Sequence, residues 1–261
     1  GVYASHHFDG CDYVVCASHE QIADFEAFNR KRNLSRITLV KGGYPKLDLQ
    51  LREMPRIDDV SLNQTVAYAP THVYAANEGL ATLLSHGKSI VRELLELGYN
   101  VVFRPHPASF GVPEEAACID DILASFGGNR SFSLDTSKNY IQTYSRCAVL
   151  ITDLSGTGFT FALSQQRPAI FFAPNADAER GLHGVHFRDR ERVGFVARSL
   201  RDLRSSVHAA IANQRVLSNQ IEEYRNETMF NTGRSEDEIS RALLAIFDGE
   251  NHPSFMRLKH D

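Results

Sequence analysis

The chain has 261 residues, 43% of them hydrophobic and 23% charged, with 28 basic against 32 acidic side chains and a formal charge of −4. Such a composition supplies a sizeable core and excludes wholesale disorder, while the negative balance argues against a dedicated nucleic-acid binder. No run approaches the roughly 18 consecutive apolar residues that cross a bilayer, and Gly1-Val2-Tyr3 opens no signal peptide.

The start on Gly1 without an initiator Met reads as a cut or trimmed chain. Cys11, Cys16, Cys118 and Cys147 are too few and too scattered for a disulfide framework or a zinc set, so free thiols in a reducing cytoplasm are expected.

In chain order, Tyr13-Val14-Val15-Cys16 predicts a strand, with Ser18 as N-cap of a helix over 19–33 that carries Ile22, Phe25 and Phe28 at helical spacing. Ile37 to Val40 predicts a second strand, stopped by Gly42-Gly43 and Pro45. The polar stretch 46–63 reads as a linker, or as a short helix plus linker. From there the pattern becomes regular. Strands are expected at 65–68, 100–103, 131–134, 148–152 and 169–172, and helices at 81–97, 114–126, 138–145 and 156–164. Three helices over 200–213, 216–227 and 236–247 follow, and 251–261 reads as a loose tail. The strands are short, unalternating and rich in Val and Ile, which marks a parallel sheet covered by helices on both faces. The fold class is therefore α/β, a parallel sheet flanked by helices, which the family resemblance given below makes Rossmann-like.

Ligands of an open α/β sheet bind beyond the carboxyl ends of its strands. Arg104-Pro105-His106-Pro107 follows the strand ending at Phe103, and its two prolines fix the backbone around His106. Arg104 and His106 offer a phosphate two adjacent donors; a structural turn is the equal alternative. Asp153-Leu154-Ser155-Gly156-Thr157-Gly158 follows Thr152 and opens a helix. Small residues and a helix N-terminus suit an anion, with Ser155, Gly156 and Thr157 as the cradle and a plain N-cap as the alternative. Thr71 and His72 end an earlier strand on the same edge. Asn231 to Ser235 reads most simply as a helix C-cap followed by the N-cap Ser235. The run Arg188 to Arg192, with Arg198, Arg201 and Arg204, reads as a solvated face or as a patch for an anionic lipid or polymer. His6-His7 has no neighbours to complete a metal set, and no HExxH or GxSxG occurs.

Six segments in order resemble the CDP-glycerol glycerophosphotransferases of teichoic acid and capsule polymer synthesis. They are Gly43-Tyr44-Pro45-Lys46-Leu47-Asp48, Tyr68-Ala69-Pro70-Thr71, Arg104-Pro105-His106-Pro107, Thr152-Asp153-Leu154-Ser155, Arg167-Pro168-Ala169-Ile170-Phe171 and Phe230 to Ser235. The resemblance spans roughly residues 12–247. It departs at Gly156, where the family has a second Ser, and at Thr160, where it has an acid.

The resemblance implies a GT-B architecture. Residues 1–55 would be the end of an incomplete acceptor-side domain plus linker, 56–250 a nucleotide-donor-binding domain, and 251–261 a tail. It also implies attack of an acceptor hydroxyl on the β-phosphorus of a CDP-activated polyol, with CMP leaving. Arg104 and His106 would be catalytic, stabilising the phosphates. Ser155, Gly156, Thr157, Asp153, Thr71 and His72 would bind the donor, with Asp153 ordering its loop rather than acting as a base. No cofactor or metal is assigned. The partners would be a CDP/CMP donor and an anionic polymer acceptor, in the cytoplasm, with peripheral contact at the inner membrane face left open. Two alternatives stay open: a GT-B glycosyltransferase using a UDP- or CMP-sugar, and a nucleotide-binding module without activity of its own.

Overall fold

Short runs of Val, Ile, Ala and Phe set the frame, in a computed structural model that describes residues 7–32, 36–53, 64–73, 79–153, 156–180 and 184–258. In chain order the elements are β1 (Tyr13–Cys16), α1 (His19–Arg32), β2 (Thr38–Lys41), α2 (Pro45–Glu53), β3 (Thr65–Tyr68), α3 (Leu83–Glu96), β4 (Asn100–Phe103) and α4 (Pro113–Phe126). There follow β5 (Phe132–Leu134), α5 (Ile141–Ser145), β6 (Val149–Thr152), α6 (Gly156–Gln165), β7 (Ala169–Phe172), α7 (Val185–Arg188) and β8 (Gly194–Ala197). The chain ends with α8 (Leu200–Ala212), α9 (Gln214–Thr228), α10 (Ser235–Asp248) and β9 (Phe255–Arg257).

The chain divides into two units, Gly1–Glu53 with Arg225–Asp261, and Met54–Tyr224. The expected division runs 1–55, 56–250 and a tail. The structure departs from it at the C-terminal side, where the end of α9, α10 and β9 go with the N-terminal segment. The expected tail holds a strand instead. β9 pairs antiparallel with β2, and Ser254 and Leu258 beside it are buried. Three residues are too few for a period to show in sequence.

In the second unit the six strands are all parallel, in the order β5-β4-β3-β6-β7-β8. The chain starts in the middle at β3, steps outward to β5, then returns to β6 on the other side of β3. That reversal leaves a crevice at the carboxyl ends of β3 and β6, the usual ligand position of a doubly wound sheet. Alternate residues serve the two faces. Val66, Tyr68, Val101 and Phe103 pack with α3, α4 and α8. Ala67, Val102 and Leu150 pack with Tyr144 of α5 and Phe161 of α6. β6 and β7 are buried along their whole length, as strands covered on both sides must be.

The first unit has a three-stranded sheet, β1-β2-β9. Ser18 caps α1 as its position predicts, accepting the amide of Gln21. Its two resemblance motifs lock each other. Asp48 of α2 is buried, and its carboxylate accepts Gly233 N and Ser235 N, each at 2.7 Å. Gly43 has φ +97, and a Cβ there would sit 2.4 Å from Ser235 Oγ and 2.5 Å from the Phe230 carbonyl oxygen. Asn231 Nδ2 donates to the Lys41 carbonyl at 2.7 Å. Ser235 is thus the first residue of α10 rather than its N-cap. Its hydroxyl donates to the Asn231 carbonyl, and the capping carboxylate comes from Asp48.

Among the described residues no helix is long and apolar enough to cross a membrane. Removing the buried carboxylate orphans two helix-end amides. Asp48→Ala is expected to lower stability by about 3 kcal/mol in urea unfolding. A loss below about 1 kcal/mol would show that Asp48 does not cap α10.

Candidate active site

A cavity of about 580 Å³ opens at the carboxyl edge of the six-stranded sheet, a size that suits a small-molecule ligand. The loop after β3 contributes Ala69, Pro70 and Thr71, and the loop after β4 contributes Arg104 to Pro107. Lys138 and Tyr140 come from the loop after β5, Tyr144 from α5, and Gly156 and Thr157 from the start of α6. The connections after four strands, β3, β4, β5 and β6, therefore converge on one edge because parallel strands all end there.

Arg104 is already engaged. Its Nη1 donates to Asp135 Oδ2 at 2.6 Å and its Nη2 to the Ser137 carbonyl at 2.7 Å. Burial by itself would raise Asp135, but hydrogen bonds from Thr143, Ser137 and Arg104 outweigh it and bring the carboxyl to about 2. The expected phosphate donor is thus a strut first: it ties the end of β4 to the loop after β5 and presents only its remaining N–H groups to the cavity.

His106 begins a 3-10 turn over Pro107–Gly111, and its Nδ1 accepts the Ala108 amide at 3.2 Å. The neutral ring therefore carries its hydrogen on Nε2, which meets no partner among the described residues. Burial lowers the His106 pKa and the neighbouring His72 lowers it further, with Glu115 pulling the other way. At neutral pH the ring is an uncharged donor. His72 does not line the cavity. Its Nδ1 lies 2.8 Å from Glu115 Oε2, and its ring stacks on His106 with centroids 5.6 Å apart and planes 14° apart.

Asp153 also lies behind the cavity, 1% exposed. Its Oδ1 accepts Thr71 N at 2.8 Å, and its Oδ2 accepts Thr82 N at 2.9 Å and Thr82 Oγ1 at 3.1 Å. Burial raises its pKa against the pull of these bonds from Thr71 and Thr82. It therefore positions the loop after β3 and the start of α3. Gly156 and Thr157 sit on the cavity wall, and the Thr157 and Tyr144 hydroxyls share a hydrogen bond. Gly158 serves packing: a Cβ there would lie 2.5 Å from the Phe171 ring, so the first turn of α6 could not settle on β7. Ser155 and His6 lie outside the described residues.

Residues 4–245 match the family of CDP-glycerol:poly(glycerophosphate) glycerophosphotransferases. The chain belongs to this family.

Solved structures place the fold. The wall teichoic acid polymerase TagF, in a variant soaked with CDPG, is 18% identical with a TM-score of 0.58, over 92% of this chain and 58% of that one. The UDP-GlcNAc 2-epimerase of Methanocaldococcus jannaschii, in complex with UDP-GlcNAc and UDP, is 14% identical with a TM-score of 0.53, over 89% and 61%. The pneumococcal O-GlcNAc transferase GtfA, in complex with UDP and GlcNAc, is 14% identical with a TM-score of 0.54, over 93% and 47%. The chain thus spans less than two thirds of the TagF chain it matches. These likenesses establish the fold, α/β of the GT-B type, as the motif order implied. No curated protein matches the sequence.

Within this family member, several site residues escape sequence reasoning. Lys138 lines the cavity and, among the described residues, has no acidic partner, yet as one exposed lysine in a polar loop it carries no sequence signal. Tyr140 and Tyr144, with ring centroids 5.0 Å apart, form its aromatic side. Glu115 and Asp135 are found only through their partners in space. The basic run is for the most part the solvated face expected of it, with Arg188, Arg192, Arg198 and Arg201 exposed, but Arg190 is an exception. Arg190 is buried and forks on Glu179 at 2.7 and 3.0 Å, Arg198 reaches the same carboxylate at 2.7 Å, and Arg204 pairs with Glu93 and Glu96.

The depressed Asp135 carboxyl sets a pH dependence. A carboxyl held at about 2 contributes stability above its unfolded value, and that contribution is lost as pH falls from about 4 through 2. In unfolding experiments across this window the wild-type chain should lose stability faster than Asp135→Asn. Parallel curves would contradict the pairing.

Proposed function

We propose that the chain carries the donor-binding half of a transferase. It would move a polyol phosphate, glycerol phosphate or a close analogue, from a CDP-activated donor to a hydroxyl of a teichoic-acid-type polymer, releasing CMP. The observation that carries this reading is the cavity itself. Among the described residues its lining brings together a neutral His106 Nε2–H, the Lys138 ammonium and the start of α6, a combination suited to a diphosphate.

The acceptor oxygen forms a bond to the polyol-bearing phosphorus while the bond from that phosphorus to the bridging oxygen breaks. The electron pair leaves with CMP, and the hydroxyl proton passes to a base we do not assign. CMP departs as a phosphate whose second pKa is near 6, so hydrogen bonds suffice and no acid need protonate it at neutral pH. His106 and Lys138 would stabilise the charge that collects on the bridging and non-bridging oxygens, with Gly156 and Thr157 on the leaving phosphate. Arg104, held by Asp135, would keep the His106 loop in place and add its remaining N–H groups. Asp153 fixes Thr71 and thereby the cavity rim. Tyr140 and Tyr144 offer aromatic surface to the nucleoside. Residues 1–53 would belong to the acceptor side. Because the donor is a cytoplasmic nucleotide and the acceptor a cell-surface polymer, the reaction belongs at the inner face of the membrane.

The test is CMP release from CDP-glycerol in the presence of a poly(glycerol phosphate) acceptor, together with calorimetry of CDP binding. His106→Ala should cut kcat by roughly 100-fold, as the loss of one preorganised donor does. Lys138→Ala should weaken CDP binding about tenfold, or 1.4 kcal/mol. Turnover of a UDP-sugar without CMP release, or CDP binding that ignores both substitutions, would contradict the reading.

A further inference from the structure

We propose that Glu115 is a positioning residue for His106 and acts through His72. The proposal rests on the donor-binding reading of the cavity and adds the device that aims its imidazole. Three elements build it: the loop after β3 and, more than 30 residues on, the loop after β4 and the first turn of α4.

Glu115 is fully buried, where an apolar side chain would fill the same space without the cost of desolvating a carboxylate. Both of its oxygens are used at the same spot. Oε1 accepts Val73 N at 2.9 Å, and Oε2 lies 2.8 Å from His72 Nδ1. An ionised carboxylate only accepts, so the hydrogen in that contact sits on His72 Nδ1, which fixes both the tautomer and the ring plane. A flipped ring would put carbon against the carboxylate.

His106 lies on that fixed plane, with 5.6 Å between ring centroids and 14° between planes. Its other restraint is the Ala108 amide on Nδ1, at 3.2 Å. A protonated His106 would set an Nδ1–H against the Ala108 N–H. The two restraints together hold His106 neutral, with Nε2–H as its one donor. The charged groups around it agree with this arrangement. His72 disfavours protonation of His106, Glu115 opposes that in part, Arg104 is paired with Asp135, and Lys138 lies on the cavity wall.

The test uses the intact chain with ¹⁵N-labelled histidine, in the wild type, Glu115→Gln, Glu115→Asp and His72→Phe. In Glu115→Gln the amide can donate to Nδ1, so the His72 hydrogen should move to Nε2, a change visible in the ring ¹⁵N shifts. CMP release should fall about tenfold or more in kcat, with KM for CDP-glycerol within about twofold, and Glu115→Asp should recover part of that loss. His72→Phe keeps a flat ring and removes the imidazole that disfavours protonation of His106, so His106 should titrate higher by about half a pH unit or more. An unchanged His72 tautomer in folded Glu115→Gln, an unmoved His106 titration in His72→Phe, or an unchanged kcat would each overturn the proposal. The NMR arms need no turnover. A wild type without CMP release would count against the proposed function alone, while the tautomer and titration results would still decide the role of Glu115.

Discussion

The Asp153 carboxylate is the constraint on which the site depends. It ends β6, is almost fully buried, and reaches across the reversal of the sheet to the amide of Thr71 after β3 and to the amide and hydroxyl of Thr82 before α3. A buried charge without partners would cost several kcal/mol, so three strong acceptor bonds and the burial have to be satisfied together. Satisfying them draws the ends of β3 and β6 and the start of α3 into one fixed arrangement. In a doubly wound sheet the connections on the two sides of the reversal leave toward opposite faces, and Asp153 ties the end of β6 to the loop after β3 and the start of α3 at that point.

The same division of labour recurs around the cavity. Charged groups that line or back it are consumed in shaping it: Asp135 holds Arg104, Glu115 holds His72, and Asp153 holds Thr71 and Thr82. The groups left toward the cavity are donors of modest strength, a neutral imidazole N–H, one lysine and the start of α6. That is an economical solution for phosphoryl transfer, where the leaving phosphate is stable as an anion and catalysis is mainly positioning and charge stabilisation.

Much of this was legible in the chain. The strands β3, β4, β6 and β7 stand where unalternating Val, Ile and Phe runs put them, because strands covered on both faces leave that pattern. The loops carrying His106 and Gly156 reach the same edge because parallel strands must end together. What escaped depends on distance in space rather than on spacing. β8 begins with a glycine after an alternating charged run, and that run hides Arg190 as the buried partner of Glu179. For the polar stretch 46–63 the chain left a linker or a short helix plus linker open, and the helix α2 over 45–53 forms because Leu47 and Asp48 are buried. Glu115 in the first turn of α4 reads as an ordinary acidic residue at a helix start; only the fold brings His72 to it. Arg104 was read for its charge, and its commitment to Asp135, 31 residues on, could not be seen from its own motif.

The most direct measurement is a crystal structure of this chain with CDP-glycerol. The account predicts the diphosphate in the cavity after β3, β4 and β6. A phosphate oxygen should lie within about 2.7–3.2 Å of His106 Nε2, with another facing the Gly156 and Thr157 amides. A nucleotide bound elsewhere on the chain, or one whose base rather than diphosphate faces His106, would contradict it.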